Sequence, residues 1–335
     1  MAEHTIGQKG FRMMAIRPMT ADDIPQVERI TETAAAAWLK QDRETELNPL
    51  GSRLIAGRFQ KEPDGCFVAD DQPHGLIGAV LSIAWGSVAW LGPLVVHPEF
   101  LGKGVEHQLL QAVLEYWEPM TLSVQGLEAD SALPAEIEFY ASFGFRPQFL
   151  TATLIGAVDP DRPREPIRQR SPSFELNRLS QLTGALEETM LANCRRISER
   201  HYPGLDYSRE LQSVKDLHLG DTLLLGVGER LYGFAICHAA PGSEADADSC
   251  YVKALLIDPA IDDQETLLAL VEACEGYART QQLKTVRLGV NLACWEGYQA
   301  VAARGYQMRQ LRLRMVRPID DLLSDPSPFH FNDWR

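Results

Sequence analysis

The chain has 335 residues, 45% hydrophobic and 23% charged, with 46 Asp and Glu against 32 Lys and Arg. Its length exceeds one ordinary core and predicts two domains, while the composition excludes a largely disordered polymer. A formal charge of -14 repels nucleic acid and anionic membranes and favours an amine-bearing ligand, so any anionic ligand needs a local site that offsets the field.

The sequence carries neither a CxxC pair nor zinc-ligand spacing between Cys and His. Cys66, Cys194, Cys237, Cys250, Cys274 and Cys294 are therefore expected as small buried side chains in a reducing compartment, with no metal bound. Residues 1–14 lack the apolar stretch of a signal peptide, and no run of about 18 apolar residues follows. The expectation is a soluble, cytoplasmic protein.

Residues 16–18 (IRP) predict a short strand, after which Thr20 caps a helix whose first turn holds Asp22 and Asp23. A second helical stretch falls at 49–59. Strand-like runs follow at 66–70 (CFVAD), 74–85 (HGLIGAVLSIAW) and 87–97 (SVAWLGPLVVH). After the loop 98–104 (PEFLGKG), residues 106–117 have apolar positions at helical spacing. A strand at 120–125, a short helix at 135–143 and a closing strand at 149–158 complete the first half. Residues 159–170 (DPDRPREPIRQR), with Pro160, Pro163, Pro166 and four Arg, predict a linker, because proline removes donors and restricts its neighbours.

The second half repeats that order. A strand at 174–179 leads into helices at 181–200 and 206–217, then a hairpin at 221–228 and 231–239 and a strand at 250–259. A long helix at 265–281, a strand at 285–291, a helix at 295–305 and a strand at 308–317 follow. The architecture expected is α/β, with two tandem domains of mixed β-sheet flanked by helices at 14–157 and 174–318. Residues 158–173 link them, and a tail covers 319–335.

The segment Val95-Val96-His97-Pro98-Glu99-Phe100-Leu101-Gly102-Lys103-Gly104-Val105-Glu106 is a strand end, a glycine-bearing loop and a helix start. Unpaired amides at a helix start attract an anion, and glycines let it approach closely. This segment resembles the signature of the GCN5-related N-acetyltransferase (GNAT) superfamily. There a V-x-P strand end, here Val96-His97-Pro98, precedes a [Q/R]-x-x-G-x-[G/A] loop, here 101–106. A helix with paired leucines follows, here Leu109 and Leu110, and then Y-x-x-x-G-F, here Tyr140 to Phe145. The resemblance covers about residues 14–157. It implies acetyl transfer from acetyl-CoA to a small amine, with pantetheine along Leu94, Val95 and Val96. The pyrophosphate would meet the loop at Leu101, Gly102, Lys103, Gly104, Val105 and Glu106. Tyr140, unless it is a packing residue, would be the general acid for the leaving thiolate. The partners implied are acyl-CoA and an amine, with no nucleic acid and no membrane, and a homodimer is left open.

Two positions depart from that signature. Leu101 replaces a polar residue, and Glu106 replaces Gly or Ala. A carboxylate in the first helical turn favours the empty helix by roughly 0.3–1 kcal/mol, whereas about 5 Å from a phosphate it costs on the order of 3 kcal/mol. Lys103 offsets part of that. In the second half the corresponding loop is Asp262 to Leu267, without glycine, and Val301 stands in the place of Tyr140. That half is read as structural or as one wall of the acceptor site.

His97 is read as a loop residue rather than a base, Trp85 and Trp90 as core rather than acceptor-pocket walls, and Trp295 and Tyr298 as packing. Asp42, Glu44 and Glu46 are read as solvated charges in the loop where the family builds acceptor specificity, and Glu244, Asp246 and Asp248 as a polar hairpin loop without a calcium pattern. The residues 329–335 (FHFNDWR) resemble a segment that docks an aromatic pair. The alternative to an enzyme is a non-catalytic tandem GNAT-like module for ligand binding or assembly. A Rossmann-type enzyme is a poor fit, since GxGxxG follows no early strand.

Overall fold

The computed structural model describes residues 14–39, 54–159, 174–239, 243–261, 263–318 and 330–334. Asp42, Glu44, Glu46, the three linker prolines and Asp262 lie outside these residues. The first half comprises β1 (Met14–Pro18), α1 (Ile24–Leu39), α2 (Leu54–Lys61), β2 (Phe67–Asp71), β3 (Gly75–Trp85), β4 (Val88–Val96), α3 (Val105–Trp117), β5 (Val124–Asp130), α4 (Pro134–Ser142) and β6 (Arg146–Ala157). The second repeats it as β7 (Glu175–Arg178), α5 (Gly184–His201), α6 (Ser208–Asp216), β8 (Gly220–Val227), β9 (Arg230–His238), β10 (Ser249–Ile257), α7 (Gln264–Thr280), β11 (Thr285–Asn291), α8 (Trp295–Ala303) and β12 (Gln307–Pro318). This is the order the sequence predicts. A further short strand, β13 (His330–Asn332), lies in the segment expected to dock aromatics.

Local chemistry explains the element starts. Asp23 accepts hydrogen bonds from the Thr20 amide and hydroxyl at 2.8 and 2.9 Å, closing the turn before α1. Asp263 accepts from the Thr266 amide at 2.7 Å and caps α7. In α3, Val105, Leu109, Leu110, Val113 and Trp117 are buried on one face, while Glu106, His107 and Gln108 look outward.

All the strands join one sheet, ordered β1-β2-β3-β4-β5-β12-β6-β11-β10-β9-β8-β7, with β13 beside β10. The closing strands are exchanged. β12 of the second half pairs antiparallel with β5 of the first, and β6 of the first pairs antiparallel with β11 of the second. β6 and β12 also pair with each other at the centre. The two halves therefore share backbone hydrogen bonds across their junction.

Side chains weld the junction too. One apolar cluster joins Ile83, Trp85, Val88 and Trp90 of the first half to Leu211, Phe234, Leu256 and Trp334 of the second. Beside it, Lys61 at the end of α2 bonds Glu210 of α6 at 2.5 Å and Glu244 at 2.9 Å, all three buried. Glu244 also holds Lys253 of β10 at 2.7 Å. Glu244 thus belongs to a buried ion network, which corrects its reading as part of a polar hairpin loop. Asp246 pairs with Arg287 at 3.1 Å, and Asp248 keeps an exposed pair with Lys284. The six cysteines are buried, and none forms a disulfide.

Candidate functional site

Strands β4 and β5 run parallel and pair only where residues 88–91 meet 124–127. At the last of these positions the register of β4 against β3 shifts, from Ser82 opposite Leu91 to Val80 opposite Leu94. β4 then stays with β3 through Val96 and leaves β5, so beyond Leu91 no strand pairs with its other edge among the described residues. Bulges re-aim a strand in this way, and the backbone they free is available to a ligand.

A cavity of about 180 Å³ sits where the strands part. Leu91, Gly92, Pro93, Leu94 and Val95 form one wall, Leu127 and Glu128 the other, and Glu136 and Tyr140 of α4 close one side. The second half supplies Glu244, Tyr251, Arg287 and Arg312. These four belong to the half read as structural or as one wall of the acceptor site. Strand exchange accounts for Arg312, since it carries β12, with Arg312 and Arg314, across to β5. Arg314 is buried and donates from Nε to Glu128 at 2.8 Å, and Thr151 of β6 donates to the same carboxylate at 2.5 Å.

Tyr140 and Glu136 stand one helical turn apart and face the same cavity. Burial, and then the nearby Glu136 charge, push the Tyr140 hydroxyl above its ordinary pKa, so it stays protonated. Burial likewise raises the Glu136 carboxyl, partly opposed by Arg312. Sequence reasoning found no base. The four-residue spacing to Tyr140 was the signal that singles out Glu136.

Of the strand residues expected along pantetheine, Leu94 and Val95 line the cavity, while Val96 packs into the core with Leu109 and Leu110. The loop after Pro98 follows the end of β4. Gly102 and Gly104 have φ of 70° and 85°, and a Cβ on either would meet nothing within 4 Å, so their backbone lies open. The amides of Gly104, Val105, Glu106 and His107 have no partner among the described residues. Such a cradle fits a diphosphate. Within it, however, Glu106 already accepts a hydrogen bond from the Gly102 amide at 3.0 Å. Leu101 is 57% exposed and contributes nothing polar. Lys103 lies over the Phe100 ring at 4.8 Å, and Val105 is buried in the core.

The remaining candidates fall elsewhere. His97 accepts from the Glu99 amide at 3.4 Å and caps a turn. Trp85 and Trp90 are core residues of the junction. Trp295 stacks with Tyr298 at 5.1 Å, but it is 54% exposed and so lies on the surface rather than in packing. In the second half, Asp263 caps α7 where the first half leaves amides open, and Val301 is buried. Among the described residues no His, Cys, Asp and Glu group is placed to hold a metal ion, and no helix is long and apolar enough to cross a membrane.

The fold is that of an α/β protein whose two halves repeat one order of elements and join in a single sheet. Residues 62–147 match the family model of the acetyltransferase (GNAT) domain. A Pyrococcus horikoshii protein provisionally described as an acetyltransferase is similar over 100% of this chain and 98% of its own, at 14% identity and a TM-score of 0.68. A GCN5-related N-acetyltransferase from Sphaerobacter thermophilus is similar over 91% and 96%, at 13% identity and a TM-score of 0.59. A tandem GNAT protein from the clavulanic acid biosynthesis pathway is similar over 91% and 98%, at 14% identity and a TM-score of 0.58. The comparison with curated proteins gives no match. The family match thus covers residues 62–147, and over the rest of the chain the likeness to these solved structures is one of fold.

Proposed function

We propose that the chain transfers an acetyl group from acetyl-CoA to a small amine at the cavity between β4 and β5. The observation that carries this reading is the parting of those strands beside Tyr140, continuous through β4 with an open-amide loop and helix start. The thioester would lie along the free edge of β4, with its diphosphate at the amides of 104–107. The amine enters from the side walled by the second half. Glu136, its pKa raised by burial, accepts the amine's proton as nitrogen attacks the thioester carbon. Carbon–sulfur cleavage leaves a thiolate facing the Tyr140 hydroxyl. The functional units are residues 14–157 and 174–318, with 158–173 as linker, 319–335 as a further segment and the closing strands exchanged.

Calorimetry with acetyl-CoA tests the reading. The wild-type chain is expected to bind, and Glu106→Ala to bind on the order of ten- to a hundredfold tighter, because a carboxylate about 5 Å from phosphate costs up to about 3 kcal/mol. One observation favours the non-catalytic alternative: the Glu106 carboxylate occupies the Gly102 amide. Absence of binding by both proteins would establish that alternative and end the enzymatic reading.

A further inference from the structure

The two halves offer an internal comparison. β4 and β10 hold equivalent places, and each parts from its parallel neighbour after four paired residues, 88–91 on β5 and 249–252 on β11. In the first half the gap is the cavity beside Tyr140. In the second it is filled by the chain itself. β13 pairs antiparallel with β10, setting His330, Phe331 and Asn332 opposite Leu256, Leu255 and Ala254. Past β13 the Asp333 amide donates to the Lys253 carbonyl at 3.0 Å, and the Tyr251 hydroxyl donates to the Asp333 carbonyl at 3.0 Å. β11 makes room, for a Cβ on Gly289 would stand 2.5 Å from that of Asp333.

The same segment reaches the first slot. Trp334 is fully buried, with its ring centroid 4.7 Å from that of Trp90 on β4, and its indole nitrogen donates to the Tyr207 hydroxyl. Trp90 lies against Gly126 of β5, where any Cβ would meet its ring at 2.0 Å, just before the strands part. Arg58, wholly buried, donates to the Gly92 carbonyl at 2.7 Å and to the Trp334 carbonyl at 3.0 Å. Arg314 lies over both the Trp90 and Trp334 rings and holds Glu128 of the opposite wall. Trp334 is therefore tied to the β4 wall through Trp90 and Arg58, and to the β5 wall through Arg314.

We propose that residues 330–334 are a built-in strand occupying the slot of the second half and a positioning element that fixes both walls of the slot in the first. The chain would then hold one acyl-CoA site, whose mouth is shaped by a segment some 240 residues downstream of Trp90. Only the catalytic consequence rests on the acetyltransferase reading.

Hydrogen exchange on the full-length chain, without acyl-CoA, tests the proposal. Trp334→Leu fills much of the site but loses the edge-to-face contact with Trp90 and the cation–π contact with Arg314. It is expected to speed exchange on the order of tenfold at the amides of 254–256 and also at 91, 92 and 94, with β8 unchanged. Trp334→Phe keeps an aromatic ring against Trp90 and Arg314 and restores residues 91, 92 and 94. Arg58→Lys keeps the charge but reaches one carbonyl only, and is expected to loosen 91, 92 and 94 more than 254–256. Faster exchange confined to 254–256 would leave a plug without a positioning role. A uniform rise through the sheet would reduce the segment to core packing, and no change would remove both roles. In parallel calorimetry, acetyl-CoA affinity should fall in Trp334→Leu and return in Trp334→Phe. A wild-type protein that binds no acetyl-CoA would instead overturn the acetyltransferase reading and leave the exchange result standing.

Discussion

Tyr140→Phe is expected to lower the turnover of acetyl transfer by on the order of 10²- to 10³-fold, the usual cost of removing one preorganised donor from a developing anion. Acetyl-CoA affinity should stay unchanged. The hydroxyl is buried and faces the Glu136 carboxyl, and both hold it protonated. A thiol has an ordinary pKa near 8.5, so complete proton transfer from a hydroxyl held above its ordinary value to the thiolate runs uphill. Donation of a hydrogen bond does not. Tyr140 would thus act by stabilising the sulfur charge as the carbon–sulfur bond breaks, and solvent would complete the protonation. Two consequences can be measured. The loss in Tyr140→Phe should be nearly constant from about pH 6 to about pH 9, because a hydroxyl of such pKa does not titrate there. It should also shrink with a thioester whose leaving thiol is more acidic. Steady-state kinetics over that range decides the point: turnover equal to wild type at every pH removes Tyr140 from the chemistry.

Much of this architecture was legible in the sequence because each element is amphipathic on its own. The buried face of α3 repeats at helical spacing, and the doubled order of elements needs no knowledge of contacts. Strand exchange was not legible. β6 and β12 carry similar patterns, and nothing local says which neighbour each will pair with once both lie at the centre of a sheet. Glu244 was misread for a related reason. Among acidic neighbours it looks like part of a polar loop, while its partner Lys61 lies 183 positions away. The docking of the 330–334 segment was visible in its aromatics, but three paired residues are too few to announce a strand. The loop motif pointed to Leu94, Val95, Val96 and residues 101–106, whereas the parting of β4 from β5 and the carboxylate seated on Gly102 required coordinates.

Lys61→Met is expected to lower the unfolding free energy by about 3–5 kcal/mol, the range for breaking a buried ion pair on one side. The methionine keeps most of the volume, so the cost is electrostatic. Every group facing Lys61 is fixed. Glu210 accepts from it at 2.5 Å, from the Trp85 indole at 3.4 Å and from His238 Nε2 at 3.2 Å. Glu244 accepts from Lys61 and Lys253, with Arg58 Nε 3.9 Å away, and its amide donates to His238 Nδ1 at 3.2 Å. That last bond makes Nδ1 an acceptor and puts the proton on Nε2, so His238 is neutral, in keeping with burial lowering its pKa. Burial also pulls Lys253 down to about 8, which leaves Lys61 as the firmer cation. Desolvation alone would raise both carboxyls, yet Lys61 and its neighbours hold Glu210 and Glu244 below the ordinary value. The sign of the pH dependence follows. In the wild type this stabilisation is complete above the unfolded carboxylate value near 4.3 and is lost as pH falls below it. In Lys61→Met, Glu210 keeps its burial without its main cation, so its pKa rises above the unfolded value. It then costs stability at neutral pH, which returns as pH falls through the raised value. Urea unfolding at about pH 7 and about pH 5 should show the gap between the two proteins narrowing with acid. The double variant Lys61→Met with Glu210→Leu should recover most of the loss, since no charge is stranded. A single variant as stable as wild type at both pH values would mean that the buried network does not hold the halves together, and that apolar packing and the exchanged strands carry the junction alone.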